Sequence, residues 1–527
     1  MLFRKIGLWI ALSILMILIV GCGKASTSDK KEESSDTEES VKKGGELRIA
    51  VNAQPPTLDP HVSPATVTRD TARPIFETLV TLNSNYEVQP MLAESFEQSE
   101  DGLTFTFHLR EGVTFHNGKE LIAEDVVASL ERWVQKATKA KNAIGNGKFE
   151  ALDDYTVQLT LEETSVGALS VLAATSQFGA IMPKAIVENA PDAGVTEYIG
   201  TGPFKFVEWK QDQYIHFEKY EDYQSPEGTP NGLAGKREAL VDDLYYDIVS
   251  DSSTRVAGVV TGLYDVATWL LADNLEQLKS TPNLETAIAL NSGAGLIFNE
   301  KEGQFTNQAM RQAVNMALDF EEILLAGLAS PELYRLSPGI LFPEQKDWYT
   351  DAGSEYYNQN NPELAKEMFK EAGYNGEEIK LLATRDYDFI YNIAIAVQGQ
   401  LEKIGVKVKV ETYDFPTYLS LTKDSTKFDM FVIGYSTQLD PTQHLIFSPE
   451  YDGWNEDPKT AELIESIRHS KTPAEAFPYW EELQEHTWKT HLPYIRFGDF
   501  YTLISYSDQV VGFTDFEGVV PWNLGKK

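Results

Sequence analysis

Two periods alternate along the chain beyond residue 44. In "LTFTFHLREGVTFHNGK", Phe105, Phe107 and Leu109 fall on one side and Thr104, Thr106 and His108 on the other. That period of two predicts a half-buried strand, and Asn117-Gly118 is a turn signal. In "AEDVVASLERWV" the period becomes helical, with Val126, Leu130 and Trp133 or Val134 on one face. Glu124 and Asp125 occupy its first turn, where the helix dipole favours negative charge. "STRVAGVVTGLYDVA" predicts a helix ending near Gly262 and then a strand, and "FTNQAMRQAVNMALDFEEIL" lines up Met310, Val314 and Ala317 or Leu318. "NPELAKEMFKEAGY" has Asn361 as N-cap, Pro362 at the first helical position and Gly373 as the stop. "IYNIAIAVQGQLEKIGVKVKVETY" predicts a helix and then an alternating strand from Val406 to Val410. "GGELRIAV" and the nearly continuous apolar run "FDMFVIGYS" are further strands. Helices and strands interleave throughout, so the class is α/β.

The N-terminus follows a different pattern. Arg4 and Lys5 precede an apolar run from Leu8 to Val20, broken only by Ser13. The run is shorter than the ~20 residues of a spanning helix and fits a secretory signal. Ile19-Val20-Gly21-Cys22 resembles a lipobox, in which the peptide is cut before Cys22 and the thiol is lipidated. The alternative is an ordinary cysteine beside a signal anchor. Cys22 is the only cysteine, so no intramolecular disulfide can form. Two acyl chains would anchor firmly where one holds marginally. "GKASTSDKKEESSDTEES" has no aromatic or large apolar residue and cannot bury enough surface to fold. Residues 1–21 therefore read as a lipoprotein signal peptide and 22–43 as a lipidated tether or a segment without a role.

Charge removes one class of partner. The formal net charge is −35 in 527 residues, and removing Arg4 and Lys5 makes it more negative. Nucleic acid demands a basic face. About 480 residues beyond the tether exceed one ordinary core, which predicts two or three lobes.

Candidate chemistry is sparse. His486 and His491 are five apart, off the spacing that puts two ligands on one helical face, so no metal or cofactor is expected. Gly200-Thr201-Gly202-Pro203 and Gly293-Ala294-Gly295 lack the spacing of a phosphate loop. Acidic pairs such as Asp153-Asp154 and Asp242-Asp243 cannot nominate a glycosidase, because carboxylate separation is not readable from sequence. There is no G-x-S-x-G elbow, and no enzyme is expected. Aromatics are plentiful: 24 Tyr, 26 Phe and 9 Trp. Many must be core, and a surplus suits a cleft that clasps an amphipathic ligand.

Met91 to Leu130, "MLAESFEQSEDGLTFTFHLREGVTFHNGKELIAEDVVASL", resembles the signature of the bacterial extracellular solute-binding proteins, family 5, which serve peptide and nickel ABC importers. Phe96 stands where Trp is usual. Ile122 stands where a Thr or Ser N-cap is usual, a loss of ~1 kcal/mol. "PTLDPH" (Pro56–His61), "GTGPFKFVEWKQDQYIHFEKYEDY" and Met310-Arg311-Gln312-Ala313 with "NMALD" are similar to further family segments. The resemblance implies a periplasmic-binding-protein-like clam-shell of two α/β lobes with an additional inserted lobe. Lobe I would comprise 44–76, 184–289 and 500–527, the insert 77–183, and lobe II 290–499. It implies capture of a solute and delivery to a permease, by a monomer held by its lipid on the outer face of the cell membrane, extracellular or periplasmic.

The same resemblance points to site residues. Peptide-binding relatives hold the ligand amine with an Asp in a W-x-x-D-type loop. In "FVIGYSTQLDPTQHL", Tyr435 stands at the Trp position, Gln438 where the Asp would fall, and Asp440 two later. Asp440 replaces the amine ligand or caps the next turn. "LLATRDYDFIYN" places Arg385 where dipeptide relatives hold the ligand carboxylate, followed by Tyr387; the alternative pairs Arg385 with Asp386 or Asp388. Trp269 and Asn291-Ser292 fall near the inter-lobe crossings, where packing or turn roles compete with ligand contact. The expected ligand is a short peptide or a similar carboxylated solute. A nickel chelate is an alternative within the class, although only His444 lies near the loop. A secreted hydrolase, an adhesin and a pheromone sensor are the remaining alternatives.

Overall fold

Two long strands, Leu284–Phe298 and Tyr494–Ser507, pair antiparallel in the computed structural model, which describes residues 42–527. The signal segment, Cys22 and most of the tether lie outside the described residues. Among the described residues the long strands join the two halves of an eleven-stranded sheet. On one flank, Glu46–Val51 runs parallel to both Val266–Leu270 and Asp243–Ile248. The hairpin Phe204–Lys210 and Tyr214–Lys219 completes that edge. This is the aromatic-rich "GTGPFKFVEWKQDQYIHFEKYEDY" segment. On the other flank, Met430–Ser436 pairs with Leu284–Phe298 and runs parallel to Ile379–Thr384, which runs parallel to Val408–Tyr413.

The ladder shifts at one informative place. Between Leu290 and Ser292 the long strand carries a bulge. Up to Leu290 it pairs with Tyr494–Ser507 alone, and from Ser292 it also pairs with Met430–Ser436. Asn291 thus marks where the chain passes from one half of the sheet to the other, and a bulge there re-aims its side chain.

Apolar burial follows the same division. One core gathers Leu47, Ile49, Phe204, Phe217, Leu244 and Ile504. Another gathers Leu296, Phe298, Met310, Val314, Ile393 and Leu401. A four-stranded antiparallel sheet, Ala93–Gln98, Thr104–Leu109, Thr156–Thr160 and Lys148–Asp153, forms its own core with the helix Ala123–Lys136. Phe105, Phe107 and Leu109 point into it, as do Val126, Leu130 and Trp133. The architecture is a clam-shell of two α/β lobes with an additional inserted lobe.

Local chemistry explains the motifs. Ile122 offers no side-chain cap, but Asp125 Oδ2 accepts from Ile122 N at 3.3 Å and so stabilises the helix start from within. Asn361 accepts from Leu364 N ahead of Pro362, and Gly373 takes φ +93°. The strand expected from Val406 begins at Val408 instead, because Gly405 (φ +89°) is still turning the chain. Gly200 and Gly202 serve close approach: a Cβ would lie 2.1 Å from Ile75 O and 2.4 Å from Pro74 O, respectively. In "PTLDPH", the fully buried Asp59 receives Arg132 Nη2 at 2.6 Å, and His61 Nδ1 accepts from Arg132 Nη1 at 2.9 Å. The first loop is thereby fastened to the helix Ala123–Lys136.

Candidate functional site in the inter-lobe cleft

Strand ends, two loops and a C-terminal hairpin carry the candidate side chains. Ile379–Thr384 delivers Arg385 at its carboxyl end, exposed. The guanidinium lies 4.3 Å from the centre of the Tyr391 ring and donates through Nη2 to Tyr391 Oη at 2.9 Å. Neither Asp386 nor Asp388 pairs with it among the described residues. Tyr387 is 39% exposed and meets Phe415 edge-on at 4.8 Å and Phe389 at 6.2 Å. Phe389 in turn lies 4.9 Å from Phe500 on the long strand.

The loop after Met430–Ser436 is organised differently. Tyr435 is buried, its ring 5.2 Å from His444 and 5.5 Å from Tyr494, and its carbonyl accepts from Ser292 Oγ. Burial pushes the Tyr435 phenol well above its ordinary pKa. His444 is held down to about 3 by burial and then by the positive Arg496 and Lys139. The Gln438 carbonyl accepts from Gln345 Nε2 at 2.6 Å. Asp440 is fully buried. Its carboxylate accepts from Thr442 N at 3.0 Å, from Gln443 Nε2 at 2.6 Å and from Ser170 Oγ of the insert at 2.8 Å. The Asp440 side chain therefore caps the turn Pro441–Gln443 and ties it to the helix Gly167–Leu172.

On lobe I, Trp269 takes a left-handed backbone, φ +54°, and its carbonyl accepts from Arg255 Nη2 at 2.7 Å. Trp269 and Asn291 line one cavity together with Arg69, Asp70, Tyr246, Asp515 and Glu517. Glu517, φ +52°, stands at the tip of a hairpin closed by Asp515 and Val519. It accepts from Arg69 Nη1 at 3.0 Å, from Tyr86 Oη at 3.1 Å and from Thr175 Oγ1 at 3.3 Å, which joins three distant stretches of the chain. Lys139, on the insert helix Thr138–Ile144, is half-buried with no ion pair among the described residues. Burial lowers its pKa against the pull of Asp440 and Glu517.

Of the sequence-derived residues, the structure joins Ser292 to Tyr435 and Trp269 to Asn291, and it sets Arg385 on Tyr391 while Tyr387 packs against Phe389 and Phe415. Arg69, Asp70, Tyr86, Lys139, Asp515 and Glu517 escaped the sequence reading. They come from four distant segments and share no spacing; the one local signal is the Glu517-Gly518 pair at a turn. Among the described residues no group of three or more His, Cys, Asp or Glu is placed to hold a metal ion, and no helix is long and apolar enough to cross a membrane.

Comparison with known proteins agrees with this architecture. The profile of the bacterial extracellular solute-binding proteins, family 5 Middle, matches residues 87–455. A probable peptide ABC transporter periplasmic-binding protein, y4tO, of Sinorhizobium fredii (strain NBRC 101917 / NGR234) is 27% identical over 495 residues, 89% of this chain and 91% of its own. The oligopeptide-binding protein AppA of Bacillus subtilis (strain 168) is 30% identical over 479 residues, 84% of this chain and 83% of its own. Among solved structures, the binding protein AgaA from A.tumefacien R10, in complex with agropinic acid, has a TM-score of 0.77 and 29% identity, covering 92% of this chain and 99% of its own. A clam-shell of two α/β lobes with an additional inserted lobe, and a profile match over residues 87–455, lead to one conclusion: the chain belongs to the bacterial extracellular solute-binding proteins, family 5, the substrate-binding subunits of ABC importers.

Proposed function

We propose that the chain captures a short peptide, or a similar carboxylated small solute, between its lobes and delivers it to an importer permease. The observation that carries this reading is Arg385. Every other arginine among the described residues donates to a carboxylate or a backbone carbonyl, whereas Arg385 meets only the Tyr391 ring and hydroxyl. Its fork of N–H groups stays free to match two carboxylate oxygens. Tyr387, Phe389 and Phe415 beside it offer aromatic area to a ligand side chain. Lys139, half-buried on the insert and without an ion pair among the described residues, supplies a second cation. Asp440 has no free acceptor for a ligand amine in this reading and serves as a tie between the insert and lobe II. Tyr435 and Ser292 shape the cleft floor, Gln438 its loop, and Trp269 with Asn291 the opposite wall.

The bodies that close are lobe I (44–76, 184–289, 500–527) with the insert (77–183), and lobe II (290–499). Cys22 holds the monomer to the outer face of the membrane through lipid. Relatives described as peptide-binding and as an agropinic acid complex both fit a carboxylated ligand.

Calorimetric titration with trialanine and with trialanine amide tests the assignment. The acid binds wild type at least about tenfold more tightly than the amide, one charge-assisted pair of ~1.5 kcal/mol. Arg385→Ala removes that preference with little change in melting midpoint. Equal affinity of wild type for acid and amide would contradict the role of Arg385.

A further inference from the structure

We propose that the lobe I cavity beneath Trp269 receives the cationic amine of the captured solute, a task that the loop around Gln438 and Asp440 leaves open. The inference rests on the peptide or carboxylated-solute reading for the identity of the ligand, but not for the existence of the pocket.

The cavity holds about 40 Å³. A water needs roughly 10–15 Å³ of such space, so the cavity takes a group the size of an ammonium rather than a whole side chain. Its walls come from separate elements. The helix Thr66–Ala72 gives Arg69 and Asp70, the strand Asp243–Ile248 gives Tyr246, and the strand Val266–Leu270 gives Thr268 and Trp269. The long strand gives Asn291, and the hairpin gives Asp515 and Glu517.

Two polar groups there lack a partner among the described residues. Tyr246 is 1% exposed, and among the described residues its hydroxyl accepts and donates no hydrogen bond. A buried hydroxyl without a partner is costly and marks a place where another polar atom belongs. The Asp515 carboxylate makes no ion pair or hydrogen bond among the described residues. The other charges are mutually engaged. Arg69 pairs with Asp70 at 2.7 Å and with Glu517 at 3.0 Å. Arg73 donates to the carbonyls of Phe516, Glu517 and Gly518. Asp515 is therefore the surplus acid, and a cation is what the pocket lacks. An ammonium, with three donors and no acceptor, satisfies a carboxylate and a hydroxyl together.

The titration of Asp515 agrees in sign. Burial first, then the like charges of Asp70 and Glu517, raise its pKa to about 7 against the pull of Arg69 and Arg73. Tyr246, the remaining titratable group on the wall, stays neutral because burial raises it further. A bound ammonium needs the ionised acid, so amine affinity rises as pH climbs from 6 to 8.

The test uses the full chain in mild detergent. Methylammonium chloride is compared with sodium chloride at equal ionic strength, at pH 8, by thermal unfolding. Methylammonium stabilises wild type beyond the sodium salt, and Asp515→Asn and Tyr246→Phe each lose at least half of that difference. Asp515→Asn alone melts higher than wild type at pH 8 and equally at pH 4, which shows that it folds. No difference between the salts, or an undiminished one in both variants, would overturn the pocket. Trialanine and N-acetyltrialanine address the ligand. If methylammonium acts but neither peptide binds, the pocket stands and the peptide reading fails. If trialanine binds no better than its acetylated form, the amine assignment fails while peptide capture stands.

Discussion

Glycine at 293 shows how tightly single residues constrain this cleft. A Cβ there would stand 2.0 Å from Arg496 Nη1 and 2.7 Å from its Cζ. Arg496 cannot retreat, because it is 1% exposed and its Nη2 is spent on the buried Asp499. Gly293→Ala is expected to cost about 2 kcal/mol or more, as overpacking around a buried ion pair does, read as a lowered urea midpoint. The buried histidines set the acid limit. His61 and His444 are held neutral, with pKa values lowered to about 4 and about 3, mainly by burial. Unfolding lets each protonate near 6.5, so the unfolded state binds more protons and stability falls as pH drops from 6.5 towards 4. For His61 alone the loss reaches about 3 kcal/mol below pH 4. Urea titrations at pH 7 and pH 4.5 check it: His61→Gln shows a shallower pH dependence than wild type, and equal slopes would refute the assignment.

At the scale of elements, the turn Pro441–Gln443 matters more than its length suggests. Asp440 caps it and accepts from Ser170 Oγ of the insert. Beside it, Thr164 Oγ1 donates to His469 O at 2.6 Å, and Val166 N to Arg468 O at 3.0 Å. These bonds join the stretch 164–170 to the stretch 440–469. Ser170→Ala removes one hydrogen bond to a charged acceptor, worth roughly 1.5 kcal/mol. It is expected to weaken ligand binding roughly five- to tenfold through faster release. Stopped-flow release rates check this, and an unchanged rate would remove the tie from the closing mechanism. Elements of this kind were only partly legible in the sequence. Phe105, Phe107 and Leu109 and the cap at Asn361 were readable, because period and capping are local. Asp440 left two readings open, because its decisive partner, Ser170, lies 270 residues away. The Asp70, Asp515 and Glu517 pocket was invisible for the same reason: no periodicity connects a helix near the N-terminus to a hairpin near the C-terminus.

Across the whole molecule, the long strands carry one sheet through both halves, and in the proposed reading closure bends their crossing near the bulge at Asn291. Hinge closure of this kind is a switch that ligand binding biases only through contacts made in the closed state. In the proposed reading those contacts come from Arg385 on lobe II, Lys139 on the insert and Asp515 on lobe I. The most direct measurement is thermal unfolding of the full chain against di- to hexapeptides, glutathione, agropinic acid and nickel–histidine. A ligand that binds only the folded state adds about 2.7 kcal/mol at a hundredfold excess over its dissociation constant. The account predicts a clear upward shift with at least one carboxylated organic solute, diminished in Arg385→Ala. A shift with nickel–histidine alone, or with none of the solutes, would contradict it.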